Sequence, residues 1–145
     1  MRRFVVTIMF FSIAALIGPL LRWATWPSST KDFLTPTQFF LYDLVILIWP
    51  AQIFWDGEST ASLIGNLIWS VGGNVFIYAL LGAAAGLLAS RPIRLFALYL
   101  FVCTWGLVIM LTVKEFNPAY YDVLAVVTAW AVLAIPFLVV ARLKQ

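Results

Sequence analysis

The chain contains no histidine and a single cysteine, and charged side chains make up only 10% of it. Each shortage removes a class of chemistry. Haem held by histidine, a histidine proton relay, a tetrahedral zinc site and the Ser-His-Asp or Cys-His pairs of nucleophilic catalysis all need residues that are missing. A lone Cys103 cannot form an intramolecular disulfide, so cysteine usage is silent about redox compartment. Between Val102 and Thr104 it reads as a small buried hydrophobe. No P-loop, GxGxxG or HExxH motif occurs. Soluble domains carry about 25% charged residues. Nine Lys/Arg and six Asp/Glu are too few to cover the water-exposed surface of a 145-residue globule. Disorder needs low hydrophobicity and high net charge, so it is excluded too. The reading is non-enzymatic, with no catalytic residue, no metal and no cofactor expected beyond a bound lipid.

What is abundant is apolar: 64% of residues are hydrophobic and the mean hydropathy is +1.03. A spanning helix needs about 20 mainly apolar residues. The sequence predicts an all-α integral membrane protein, a small polytopic bundle of four to five transmembrane helices at approximately 4–21, 36–55, 61–89, 93–113 and 121–142. Residues 1–145 then form a single transmembrane domain with no extramembrane domain. Thr35-Pro36-Thr37-Gln38 reads as a helix start, with Thr35 as cap, Pro36 at the first position and Gln38 closing a capping box. Arg91-Pro92-Ile93-Arg94 ends one helix and begins another, and Asn117-Pro118 breaks the chain before the last. Trp23, Trp26, Trp55, Tyr120 and Tyr121 stand near helix ends, as an interfacial belt requires. No small-x-small cleavage site follows the first apolar run, which reads as a retained helix.

The segment 36–55 is the ambiguous one. As a helix it is about 30 Å long, just enough to span. Asp43, about 10 Å inside it, costs about 2.5–3.5 kcal/mol on insertion scales, and Pro50 weakens it further. The balance tips to five spans, with a re-entrant or surface-lying 36–55 as the competitor. Loop charges set orientation. Arg91, Arg94, Arg142 and Lys144 fall on one side, the cytoplasmic one, in what reads as a bacterial plasma membrane. Five spans put Arg2 and Arg3 on the opposite side; four put them on the same side. The net charge of +3 is explained by these helix-end residues, and nucleic acid is not an expected partner. The expected partners are the lipid bilayer and other membrane helices, from this chain or a larger complex.

The 61–89 helix carries the most detail. At about 43 Å it exceeds a hydrocarbon core of about 30 Å, so it must tilt, protrude or break, with Gly72-Gly73 as the natural kink. Asn66, Ser70, Asn74, Tyr78, Gly82 and Gly86 recur every fourth residue. The polar half could line a wet path or a ligand cavity. Packing is the preferred reading, because bilayers supply no hydrophobic force between helices and association relies on small residues and interhelical hydrogen bonds. Gly82 and Gly86 form a GxxxG whose partner helix, in this chain or another, is open.

Asp43 is the single acid within an apolar segment. It suits a proton or cation site with Gln52, Asn66, Asn74 or Tyr78 as neutral partners. The preferred reading is a wet interfacial position beside Tyr42. Trp49, Trp69, Trp105 and Trp130 read as deep packing anchors whose indole N–H groups need acceptors. Pro136 predicts a kink in the last helix, and Thr104, Trp105 and Gly106 are placed to pack on the 61–89 helix. Three functions follow. The first is a structural or accessory subunit of an oligomeric membrane complex. The second is a small oligomeric channel or proton- or cation-coupled transporter using Asp43 and the Asn66/Ser70/Asn74 face. The most remote is a lipid enzyme built on Asp43, Asp56, Glu58, Glu115 or Asp122, with a divalent ion held by carboxylates.

Overall fold

Proline placement sets several of the helix boundaries of this chain. The computed structural model describes residues 1–25, 35–51, 65, 68–113 and 120–143, and the elements among them are helical. They are α1 (Arg2–Ala14), α2 (Ile17–Thr25), α3 (Pro36–Ile48), a π-helical turn (Ile68–Gly72) leading directly into α4 (Gly73–Leu88), α5 (Pro92–Val113) and α6 (Tyr120–Arg142). Gln52, Asn66 and Lys144, together with Asp56, Glu58 and Glu115, lie outside the described residues.

The α1–α2 break falls four residues before Pro19. Proline has no N–H, so it cannot donate to the Ala15 carbonyl one turn back. The chain bends at Ala15-Leu16, where the Leu16 N–H turns to Ile13 O at 3.0 Å. The start of α3 follows the predicted capping box: the Gln38 N–H donates to Thr35 Oγ1 at 3.4 Å, and the Thr35 N–H donates to Gln38 Oε1 at 2.7 Å. Its end does not follow the prediction. The helix stops at Ile48 because the ring of Pro50 drives the preceding residue out of the α region. Trp49 accordingly adopts φ −126°, ψ 70°. The 13-residue α3 is about 20 Å long, too short to cross a bilayer. The anticipated kink at Gly72-Gly73 takes the form of the π turn ending at Gly72. Pro136 ends nothing; α6 runs through it as one helix to Arg142.

Among the described residues, four helical stretches are long and apolar enough to cross a membrane: Arg2–Ala24, Ile68–Leu88, Pro92–Thr112 and Asp122–Arg142. The five-span expectation therefore gives way to four long helices and one short one. Direction follows from contacts. Phe4 and Thr7 touch Gly86, and Phe11 touches Gly82, so α1 and α4 are antiparallel. Arg3, Ser90 and Leu143 line one cleft, so the start of α1, the α4–α5 junction and the end of α6 share one end of the bundle. This overturns the arrangement that set Arg2 and Arg3 opposite Arg91, Arg94 and Arg142. Helix α3 comes in from the other end: Gly18 lies against Trp49, while four residues further along α2 Arg22 faces Tyr42.

In the half nearer the arginines, the core is made by the long helices alone. Phe11 of α1 meets Phe137 of α6 edge-on at 5.3 Å, and Tyr99 of α5 meets Phe137 at 5.5 Å. The Tyr99 hydroxyl donates to Trp130 O at 2.9 Å, tying α5 to α6. In the other half α3 fills the interior, packed against α2, α5 and α6. Its residues Asp43 to Trp49 are all buried, which suits a short helix enclosed by others rather than one lying on a surface.

Candidate functional site

The buried polar groups of this protein converge where its helices are broken. Two helix ends each leave a backbone carbonyl without its helical donor, and these two, like one carbonyl of the π turn, accept a hydrogen bond from a side chain of another element. Ala15 O, which Pro19 cannot serve, accepts a hydrogen bond from Asn74 Nδ2 at 2.8 Å. Ile48 O, at the end of α3, accepts the Tyr78 hydroxyl at 2.7 Å. Ser70 O, in the π turn, accepts Trp49 Nε1 at 3.1 Å. Asn74 and Ser70 are fully enclosed and Tyr78 nearly so. A buried unpaired carbonyl costs about 1–3 kcal/mol, and more where no water reaches it. The four-residue spacing that aligns Ser70, Asn74 and Tyr78 thus sets the backbone of one and the side chains of two against the broken helices α1–α2 and α3.

Backbone closeness supports this node. A Cβ at Gly106 would stand 3.0 Å from Leu47 O, so α5 presses on the last turn of α3. At Gly18 it would lie 2.7 Å from Trp49 Cβ. Gly106 therefore packs on α3, not on the 61–89 helix as anticipated. Gly82 and Gly86 face α1: an added Cβ would lie 2.9 Å from Phe11 Cβ at the first and 3.0 Å from the Phe4 ring at the second. The GxxxG partner is thus a helix of the same chain. Among the described residues, a Cβ at Gly72 would meet no atom within 4 Å, and one at Gly73 would meet only Ala51 at 3.7 Å.

Asp43 lies within α3 with 0% exposure, so the wet interfacial position does not hold. Asp122, in the first turn of α6, is also buried. Asn74 Oδ1 and Trp130 Nε1 are buried with no hydrogen-bond partner among the described residues. Two cavities flank the node. One of about 270 Å³ opens between α4 and α5 beside Leu47, Tyr78 and Trp105; one of about 80 Å³ lies beside Ile48, Tyr78 and Pro136. Both are walled almost wholly by apolar side chains. Trp49 is buried as anticipated, but Trp69 and Trp105 are on the outer surface, 73% and 54% exposed. Cys103 is buried beside Tyr99, as a small hydrophobe would be.

Among the described residues no group of three His, Cys, Asp or Glu side chains could hold a metal ion. Comparison with protein-family models, with curated proteins and with solved structures finds no match to this chain.

Sequence reasoning missed the roles of Gly18, Pro19 and Trp49 as parts of one unit. The available signal was Pro19. A proline inside an apolar helix orphans the carbonyl four residues earlier, and a buried amide on a neighbouring helix is its natural donor.

Proposed function

We infer that this chain is a polytopic membrane protein that serves as a structural or accessory subunit, with four spanning helices, a short re-entrant α3, and the arginine-bearing end at the cytoplasm. The supporting observation is where the buried polar groups point. Asn74 and Tyr78 each donate to a carbonyl released by a helix break, Trp49 donates to one in the π turn, and the cavities around them have apolar walls. Groups committed to backbone repair hold an irregular fold together in an apolar solvent. The outer faces fit such a solvent, since Trp69, Phe76, Leu87, Phe101 and Leu138 are all well over half exposed. Arg2, Arg3, Arg91, Arg94 and Arg142 at one end fit the preference of cytoplasmic loops for Lys and Arg.

The test is purification from the native membrane under mild detergent. A fixed partner at constant stoichiometry supports an accessory role. Recovery of this chain alone, together with ion or solute flux across liposomes that contain only this chain, refutes it.

The second reading, a proton- or cation-coupled channel or carrier, is favoured by one observation: Asp43 is a fully buried acid on a half-helix that ends inside the bundle. Interrupted helices of this kind build midplane ion sites in transporters, and an intramembrane carboxyl is expensive to keep without a use. Flux that disappears in Asp43→Asn while the protein stays folded would establish it.

A further inference from the structure

At the arginine-bearing end a cleft of about 200 Å³ opens where α1 begins and α4 and α6 end. Its walls are Phe4, Ala89, Val140 and Leu143, and Arg3 and Ser90 are its polar lining at the end of the bundle. The sequence neighbours of those residues are charged: Arg2 beside Arg3, Arg91 after Ser90, Arg142 before Leu143. With Arg94 one turn into α5, five exposed guanidinium groups crowd this end. The described carboxylates are elsewhere, Asp43 in the middle of α3 and Asp122 in the first turn of α6, at the opposite end. Thr7, deeper in the cleft, has its hydroxyl committed to Arg3 O at 2.9 Å.

We propose that this cleft binds an anionic phospholipid, with the phosphate headgroup among Arg3, Arg91 and Arg142 and the upper part of one acyl chain against Phe4, Ala89, Val140 and Leu143. The proposal rests on the membrane reading above. Membrane orientation accounts for positive charge in the loops, but it does not call for an apolar slot opening directly beside a guanidinium. That combination matches an amphiphile whose charge and chain are joined. A free phosphate would leave the slot empty, and a zwitterionic lipid would bring a cation to an end that has no described acid. Basic pockets between helices on the cytoplasmic side are where anionic headgroups bind. The bidentate guanidinium suits phosphate oxygens.

The experiment uses the full chain in a neutral detergent, titrated with phosphatidylglycerol, with phosphatidylcholine of the same chains, with glycerol 3-phosphate and with poly-glutamate. Thermal unfolding and native mass spectrometry are the readouts. Phosphatidylglycerol is expected to raise the unfolding temperature and to appear as a retained adduct, and the other three are expected to do neither. Each basic residue near an anionic surface contributes about a fivefold change in affinity, so Arg3→Gln weakens phosphatidylglycerol binding about fivefold. Lys114→Gln, in the link between α5 and α6, leaves it unchanged. Ala89→Leu, which fills the slot without touching a charge, abolishes the preference, and it stands in if Arg3→Gln does not fold. Equal effects of the two lipids, equal effects of glycerol 3-phosphate or poly-glutamate, or undiminished binding in Ala89→Leu overturn the proposal. A chain that folds in buffer without amphiphile overturns the membrane reading instead, whereas one that needs detergent yet ignores phosphatidylglycerol overturns only this site.

Discussion

Substituting Gly82 by alanine isolates the α1–α4 contact. The new Cβ would lie 2.9 Å from Phe11 Cβ, 3.0 Å from Ile8 Cα and 3.1 Å from Thr7 O, all nearer than the 3.4–4 Å of ordinary contact. Two of these three atoms are backbone, so no rotamer change relieves the clash and α1 must move away from α4 as a body. Overpacking of this kind costs about 1–3 kcal/mol, and the better helix propensity of alanine returns about 0.8–1.0 kcal/mol. The net loss is about 0–2 kcal/mol, or up to roughly 8 °C in unfolding temperature for a chain of this size, and the full overpacking cost shows as the difference from a glycine-to-alanine change that meets no clash. Two companion substitutions calibrate it. Gly86→Ala meets the outer atoms of the Phe4 ring, which can swing aside, so it is expected within about 0.5 kcal/mol of the parent. Gly72→Ala meets nothing within 4 Å and is expected to lose no stability. The assay is thermal unfolding in detergent followed by tryptophan fluorescence, with light scattering to record oligomer size. Gly82→Ala as stable as Gly72→Ala would refute the packing argument. A Gly82→Ala protein that changed its oligomer size while keeping its unfolding temperature would show that the glycine face serves another chain.

Tyr78→Phe removes the donor to Ile48 O and leaves that carbonyl buried, so it is expected to cost about 1–3 kcal/mol, measured by the same unfolding assay; Phe at no cost would mean that the hydroxyl does not cap α3. Asn74→Leu is expected to cost about 0.6–2 kcal/mol, the range of interhelical hydrogen bonds in membranes, with local loosening of the α1–α2 bend visible as faster amide exchange at Leu16 and Leu20. Single cysteines at positions 2 and 142, in a Cys103→Ala background, are expected to react with impermeant reagent from the same face of membrane vesicles. Labelling from opposite faces would restore the five-span topology.

Much of the architecture was legible along the chain because lipid-compatible helices must satisfy their own backbone and show as long apolar runs. The cap at Thr35, the break before Pro92 and the long helix ending at Arg142 are all local events, and the sequence places each within one or two residues. The end of α3 is not legible in hydropathy, because apolarity continues past Ile48 to Trp55 while the backbone rule at Pro50 stops the helix. The partner of the Gly82–Gly86 face was not legible either, since small residues announce a close approach without saying what approaches.

The sequence by itself determined that the chain is helical and apolar, where most of its helices begin, and which residue types are missing for catalysis. Tertiary structure alone decided that Pro19 and Asn74, 55 positions apart, answer one another across the core, that α3 ends inside the bundle under Gly106 and Tyr78, and that the arginines of both termini and of the α4–α5 junction gather at one end. The reason is the reach of the forces. Helix initiation and apolarity act over a few neighbouring residues and leave a local trace, whereas the donor that replaces a missing backbone hydrogen bond comes from wherever the fold brings a polar group.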